Sequence, residues 1–161
     1  MSLLCKFLDA GFRRNIFFPE LLFELSLSGY RQERFLIKIE SQDQQIDYKQ
    51  KLETIKGCGL YFKFPVPTDE VLCAMKISAL LSRQKGRDFY DVMFLMEQTK
   101  PDYSFLSARC GIKNQDQLKQ AFKDILQRID LSHKAKDFEH LAFQEKNIHR
   151  ITFFDDFVNN L

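Results

Sequence analysis

The sequence predicts an α+β fold, with a small sheet followed by a helical bundle. Two observations carry this. Before Thr68, apolar and polar residues alternate in short runs. After it, apolar residues recur at spacings of three and four. Pro65 and Pro67 mark the change. The chain accordingly divides into a sheet region, 1–67, and a helical region, 68–161, which can form one compact unit.

Taken in order, Ser2 can cap a short helix carrying Leu3, Phe7 and Leu8 and ended by Gly11. From Leu21 to Ser28, Phe23, Leu25 and Leu27 alternate with Glu24 and Ser26, which predicts a first strand. The turn SGYRQ leads into ERFLIKIES. There Leu36, Lys38 and Glu40 share one face, and Phe35, Ile37 and Ile39 share the other. The two runs predict a hairpin. SQDQQIDYKQ reads as loop, and GLYFKFPVP as a third short strand. Thr68 or Asp69 caps a helix running to about Arg83, and a second helix starts near Arg87 after Gly86. Pro101 stops it. Asn114 with Gln117 has the form of a capping box ahead of Leu118, Phe122, Ile125 and Leu126. The tail from Asp137 supplies one or two further helices.

Composition bounds the function. At 161 residues, 45% hydrophobic and 29% charged, the chain is globular. A net charge of +2 gives no global field for nucleic acid, so any such case rests on local clusters. No apolar run reaches membrane-span length, and MSLLCKFLDAGFRR lacks the form of a signal peptide. Cys5, Cys58, Cys73 and Cys110 form no C-x-x-C pair. Reduced thiols in a cytoplasmic protein are the expectation. Seventeen phenylalanines require a sizeable core or an interface.

Between Val71 and Arg87 stand four cations, Lys76, Arg83, Lys85 and Arg87, and no acid. Lys76, Leu80 and Arg83 share a helical face. Arg87 and Asp91 are i, i+4 partners, so Asp91 can orient Arg87. Fixed cations in this pattern suit a polyphosphate, because arginine matches phosphate oxygens bidentately and lysine neutralises them. A solvated basic face with one routine intrahelical ion pair is the competing interpretation. His133 and His140 can share a face but lack further ligands for a metal. Phe153, Phe154 and Phe157 read as tail packing.

The order K-x-x-x-L-x-x-R followed by K-G-R-D-x-Y-D resembles the C-terminal part of the AbiEii/AbiGii nucleotidyltransferase toxin family. The residues that carry this are Lys76, Ala79, Leu80, Arg83, Lys85, Gly86, Arg87, Asp88, Tyr90 and Asp91, with FLIKIES upstream. The resemblance implies a bacterial abortive-infection toxin of a type IV toxin–antitoxin system. Its fold would be a partial polymerase-beta-like mixed sheet followed by the helical bundle. It implies Mg²⁺ and a nucleoside triphosphate as cofactors, an RNA acceptor and a cognate antitoxin. Lys76 would be the phosphate lysine. Arg83, Arg87 and Lys38 would be further phosphate cations. Asp88 and Asp91 would orient the basic residues or act near the acceptor, and Glu40 would be a supporting metal carboxylate. The family's Gly-Gly or Gly-Ser turn and its Asp-x-Asp metal pair do not occur in these residues. The chain therefore looks like the family's second half, and incomplete catalysis is expected. A truncated product, a subunit completed by another chain and a remnant reused for binding all remain open. A non-enzymatic interaction or regulatory subunit is the alternative function. An open sheet edge further implies a homodimer or a separately encoded N-terminal half as partner.

Overall fold

The computed structural model describes residues 12–41, 43–57, 59–141 and 145–161. The helix expected between Ser2 and Gly11 lies outside these residues, as do Cys5 and Cys58. Four strands, interrupted by one short helical turn, precede the remaining helices along the chain, in keeping with the α+β expectation. Two compact units are present, one ending at Gln45 and one from Ile46 to Leu161.

In the first unit, β1 (Phe12–Phe18) pairs antiparallel with β2 (Phe35–Ser41), with Arg13 opposite Glu40 and Phe18 opposite Phe35. The strand expected at Leu21–Ser28 does not form. That segment is instead a single helical turn, α1 (Leu21–Glu24), followed by a tight turn. Pro19 fixes the chain direction, and Glu20 and Ser26 take positive φ values of 65° and 56°. Backbone bonds from Glu24 N to Glu20 O (2.9 Å) and from Leu27 N to Leu22 O (2.8 Å) close the turn locally. β2 therefore finds its hairpin partner in β1.

In the second unit, β3 (Gln50–Gly57) pairs antiparallel with β4 (Leu60–Pro67). The loop expected before Gln50 is present, but β3 itself was not anticipated. Its β-branched Thr54 and Ile55 sit between Lys51, Glu53 and Lys56, and the charges obscure the alternation. Pro65 and Pro67 lie inside β4 rather than after it. A two-stranded ladder leaves one edge of β4 needing no donor, which is where proline is tolerated.

Helices follow: α2 (Asp69–Arg83), α3 (Gly86–Met96), α4 (Tyr103–Cys110), α5 (Gln115–Leu126), α6 (Leu131–Phe138), α7 (Glu145–Arg150) and α8 (Phe154–Asn159). Short 3₁₀ turns at Glu139–Leu141 and Ile151–Phe153 link the last three. Asp102, Asn114 and Asp130 cap α4, α5 and α6 with their side chains. Thr68 stands at the N-cap of α2 without a side-chain bond, and Gln117 accepts from Lys113 N rather than from its own cap residue. The core sits among these helices. α2 buries Val71, Ala74, Ile77 and Leu80, and α5 buries Leu118, Phe122 and Ile125. Phe154 meets Phe89 edge-on at 5.0 Å and Phe122 at 5.3 Å. Each such ring contributes roughly 1.5–3 kcal/mol through burial.

Candidate functional site

The basic stretch forms the corner between α2 and α3. Gln84 ends α2 with a left-handed backbone (φ 51°), and α3 begins two residues later. So tight a reversal brings the end of one helix against the start of the next. Arg83 Nη2 donates to Asp88 Oδ1 at 2.6 Å, and Arg83 Nε donates to Oδ2 at 2.9 Å. Asp88 Oδ2 also accepts from Lys85 N at 3.1 Å, and Asp88 N returns a bond to Lys85 O at 2.9 Å. Asp88 is wholly buried, and it is the one charged side chain so enclosed among the described residues. The hydrogen bonds to Asp88 hold the Arg83 guanidinium above its ordinary pKa.

Lys76 Nζ donates to Asp91 Oδ2 at 2.7 Å, with both side chains about one-third exposed. The expected partnership of Asp91 with Arg87 is therefore not made. Asp91 projects toward α2 and takes Lys76, because the helix crossing sets its neighbours more strongly than i, i+4 spacing does. Arg87 is exposed. It lines a cleft of about 630 Å³ together with Lys85, Gly86, Lys136, Asp137 and His140. Nothing in the motif pointed to Lys136 or His140. Their i, i+4 spacing was the available signal, but what brings them to Arg87 is tertiary.

Gly86 is what allows that approach. A Cβ at this position would stand 2.1 Å from Lys134 O and 3.0 Å from Phe138 Cβ. Only a residue without a side chain lets α6 pass so close to the start of α3. Tyr90, next along α3, stacks on Phe138 at 5.4 Å and on Phe94 at 6.2 Å.

Lys38 and Glu40 lie in the first unit. They share one face of β2, as the alternation predicted, and Lys38 Nζ reaches Glu40 Oε1 at 3.1 Å. Arg13 Nε reaches the same oxygen at 2.6 Å from β1. The Lys38 hydrogen bond, with Arg13 charge behind it, holds the Glu40 carboxyl below its ordinary range.

The donor chemistry of the buried Asp88 carboxylate does not fit a divalent cation, and Asp91 and Glu40 each offer only one oxygen that no cation among the described residues holds. Mg²⁺ asks for free oxygens in near-octahedral array. Both oxygens of Asp88 are spent on Arg83 and Lys85 N, Asp91 is held by Lys76, and Glu40 carries two cations. Among the described residues, no three His, Cys, Asp or Glu side chains gather to share an ion. No helix among them is long and apolar enough to cross a membrane.

What the corner can do is offer hydrogen-bond donors. Lys76 spends one of its three N–H groups and Arg83 keeps its Nη1 pair, though each is neutralised by its aspartate. Lys85 and Arg87 add charge, and among the described residues neither forms an ion pair with a carboxylate. No curated protein and no solved structure matches the chain. The family described as nucleotidyl transferase AbiEii toxin, type IV TA system, matches residues 9–151. With most of its length inside that match, and with K-x-x-x-L-x-x-R and R-D-x-Y-D folded into one corner, the chain belongs to the AbiEii nucleotidyl transferase toxin family.

Proposed function

We propose that this chain binds the phosphates of a nucleoside triphosphate at the α2–α3 corner and, as it stands, does not transfer the nucleotide. Lys76, Arg83 and Arg87 are the phosphate donors. Asp88 and Asp91 orient Arg83 and Lys76. The observation that carries this reading is the buried Asp88 clasp, which fixes the Arg83 guanidinium at the helix corner at 2.6 Å. A guanidinium fixed in advance loses little further freedom when it meets a phosphate. Incomplete catalysis is supported by the lack of an Asp-x-Asp pair in these residues and of three gathered His, Cys, Asp or Glu side chains among the described ones. Without such a metal cage, charge building on pyrophosphate in the transition state loses its main stabiliser, commonly worth several kcal/mol. A cognate antitoxin, as befits a type IV system, is the expected protein partner, and RNA is the expected acceptor.

Purified protein incubated with radiolabelled nucleoside triphosphate, RNA and Mg²⁺ tests this. Weak binding without transfer is expected. Robust transfer that disappears on Lys76→Ala would overturn it.

One observation favours a second reading, a non-enzymatic interaction or regulatory subunit. Ile55, Phe62 and Phe64 share one face of the β3–β4 hairpin and are 41%, 46% and 53% exposed. Apolar faces of this kind are ordinarily covered by another chain. A homodimer or a separately encoded N-terminal half would cover them. Light scattering at micromolar concentration is expected to give a dimer, and a clean monomer would remove the homodimer.

A further inference from the structure

The cations of the helix corner are of two kinds. Lys76 and Arg83 are each matched by an aspartate, at 2.7 and 2.6 Å. Lys85 and Arg87 are exposed, and among the described residues no carboxylate forms an ion pair with either. They stand on one wall of the cleft of about 630 Å³, and Lys136 and His140 stand on the other. Gly86 is the close-packed joint between the walls. Asp137 is the one acid in the lining, and its Oδ2 lies 3.7 Å from His133 Nδ1, outside the cleft. Three cations and an imidazole thus line the cleft with one carboxylate. Like charges gathered at one concavity repel one another, so an anion entering there relieves a cost as well as gaining contacts. The volume is far larger than a single oxoanion and suits a short chain of phosphates.

We infer that this cleft is a polyphosphate-binding site, with Lys85 and Lys136 as point charges, Arg87 as a bidentate fork and His140 as a further donor. It rests on the phosphate-binding reading above and extends it to α6 and the following turn, where no motif residue lies. Free nucleotide and the backbone of an RNA strand both supply this chemistry.

Calorimetric titration of the full chain with sodium tripolyphosphate at low salt is the test. Lys136→Ala and Arg87→Ala are each expected to weaken binding by about fivefold, the scale of one partly exposed charge contact. Lys123→Ala, a surface control elsewhere, is expected to leave it unchanged. All three positions are exposed or half-buried, and far-ultraviolet circular dichroism confirms folding of each variant. Competition by a nucleoside triphosphate assigns the phosphates to a free nucleotide. Competition by a short single-stranded RNA assigns them to a nucleic-acid backbone. Either result keeps the site. Affinity indifferent to both Lys136→Ala and Arg87→Ala would overturn it. If affinity falls only on Lys76→Ala, the cleft fails while the corner reading stands. If it falls on Lys136→Ala and not on Lys76→Ala, the cleft stands and the role given to Lys76 fails.

Discussion

Arg83 grips both carboxylate oxygens of Asp88, at 2.6 and 2.9 Å, and the gripped carboxylate is wholly enclosed by the helices it joins. The guanidinium remains partly in solvent, so the pair is a surface cation holding an interior anion. Removing either partner leaves the other poorly satisfied. Asp88→Ala forfeits two charge-assisted bonds and the bond that caps Lys85 N, a loss of about 2–4 kcal/mol. Arg83→Ala is expected to cost about 3 kcal/mol or more, because it strands a buried charge. Urea denaturation of the two variants checks this, and a change within about 0.5 kcal/mol for both would contradict the clasp.

The Lys76–Asp91 pair is built of the same residue classes and is expected to matter much less for stability. Both side chains keep about one-third of their surface in water. Solvent screens the attraction, and ordering a lysine offsets part of it. A double-mutant cycle with Lys76→Met and Asp91→Asn is expected to give a coupling of about 0.5–1 kcal/mol. A coupling several times larger would mean that the pair is dry in solution.

Gly86 admits no side chain. A methyl group there meets the Lys134 carbonyl at 2.1 Å, and a backbone atom cannot swing aside. Gly86→Ala is expected to push α6 from α3 and cost about 1–3 kcal/mol, the usual scale of overpacking. The same shift should loosen the Tyr90–Phe138 stack, seen as altered tyrosine fluorescence together with a lower melting temperature. An unchanged melting temperature would show that α6 yields freely.

Cys73 lies fully within the core, and burial pushes its thiol from an ordinary 9.0 up to about 12. The unfolded chain releases this proton at a lower pH than the folded chain does. The stabilising difference is therefore fully present below pH 9 and is lost as pH rises from about 9 toward 12. Cys73→Ala is expected to flatten that part of the stability profile. At pH 8, where a thiol of ordinary pKa 9.0 is about one-tenth ionised, a thiol reagent should label Cys110 and spare Cys73 in the native protein. Equal labelling of the two would refute the buried state.

The helical half was legible because its signals are local. Helix spacing in Val71, Ala74, Ile77 and Leu80, the Asn114 cap, and glycine at position 86 each report on a few neighbouring residues. The strands were harder. LLFELSLS alternates as well as FLIKIES does, yet it follows Pro19 and a left-handed Glu20 and closes into a helical turn. FRRNIFF, the true partner of β2, carries two arginines and an asparagine after its first residue, and these hide its alternation. At the α2–α3 corner the sequence displayed the charged residues but not how they pair. Asp91 looked bound for Arg87 along one helix, whereas Lys76 reaches it from another. Lys136 and His140 belong to no motif at all, and only the close approach at Gly86 sets them beside Arg87.

Every buried apolar side chain among the described residues falls between Val71 and Val158. The hairpin strands are held by their ladders, with little enclosed surface to lock them. Amide exchange should therefore be strongly graded along the chain. The amides of α2, α3 and α5 would open only with global unfolding, while those of β1 to β4 would exchange through local fraying. Most core contacts join helices near in sequence, such as α2 with α3 and with α4, so little loop entropy is spent before they form. The helical core is thus suited to assemble first and quickly, with the strands ordering last.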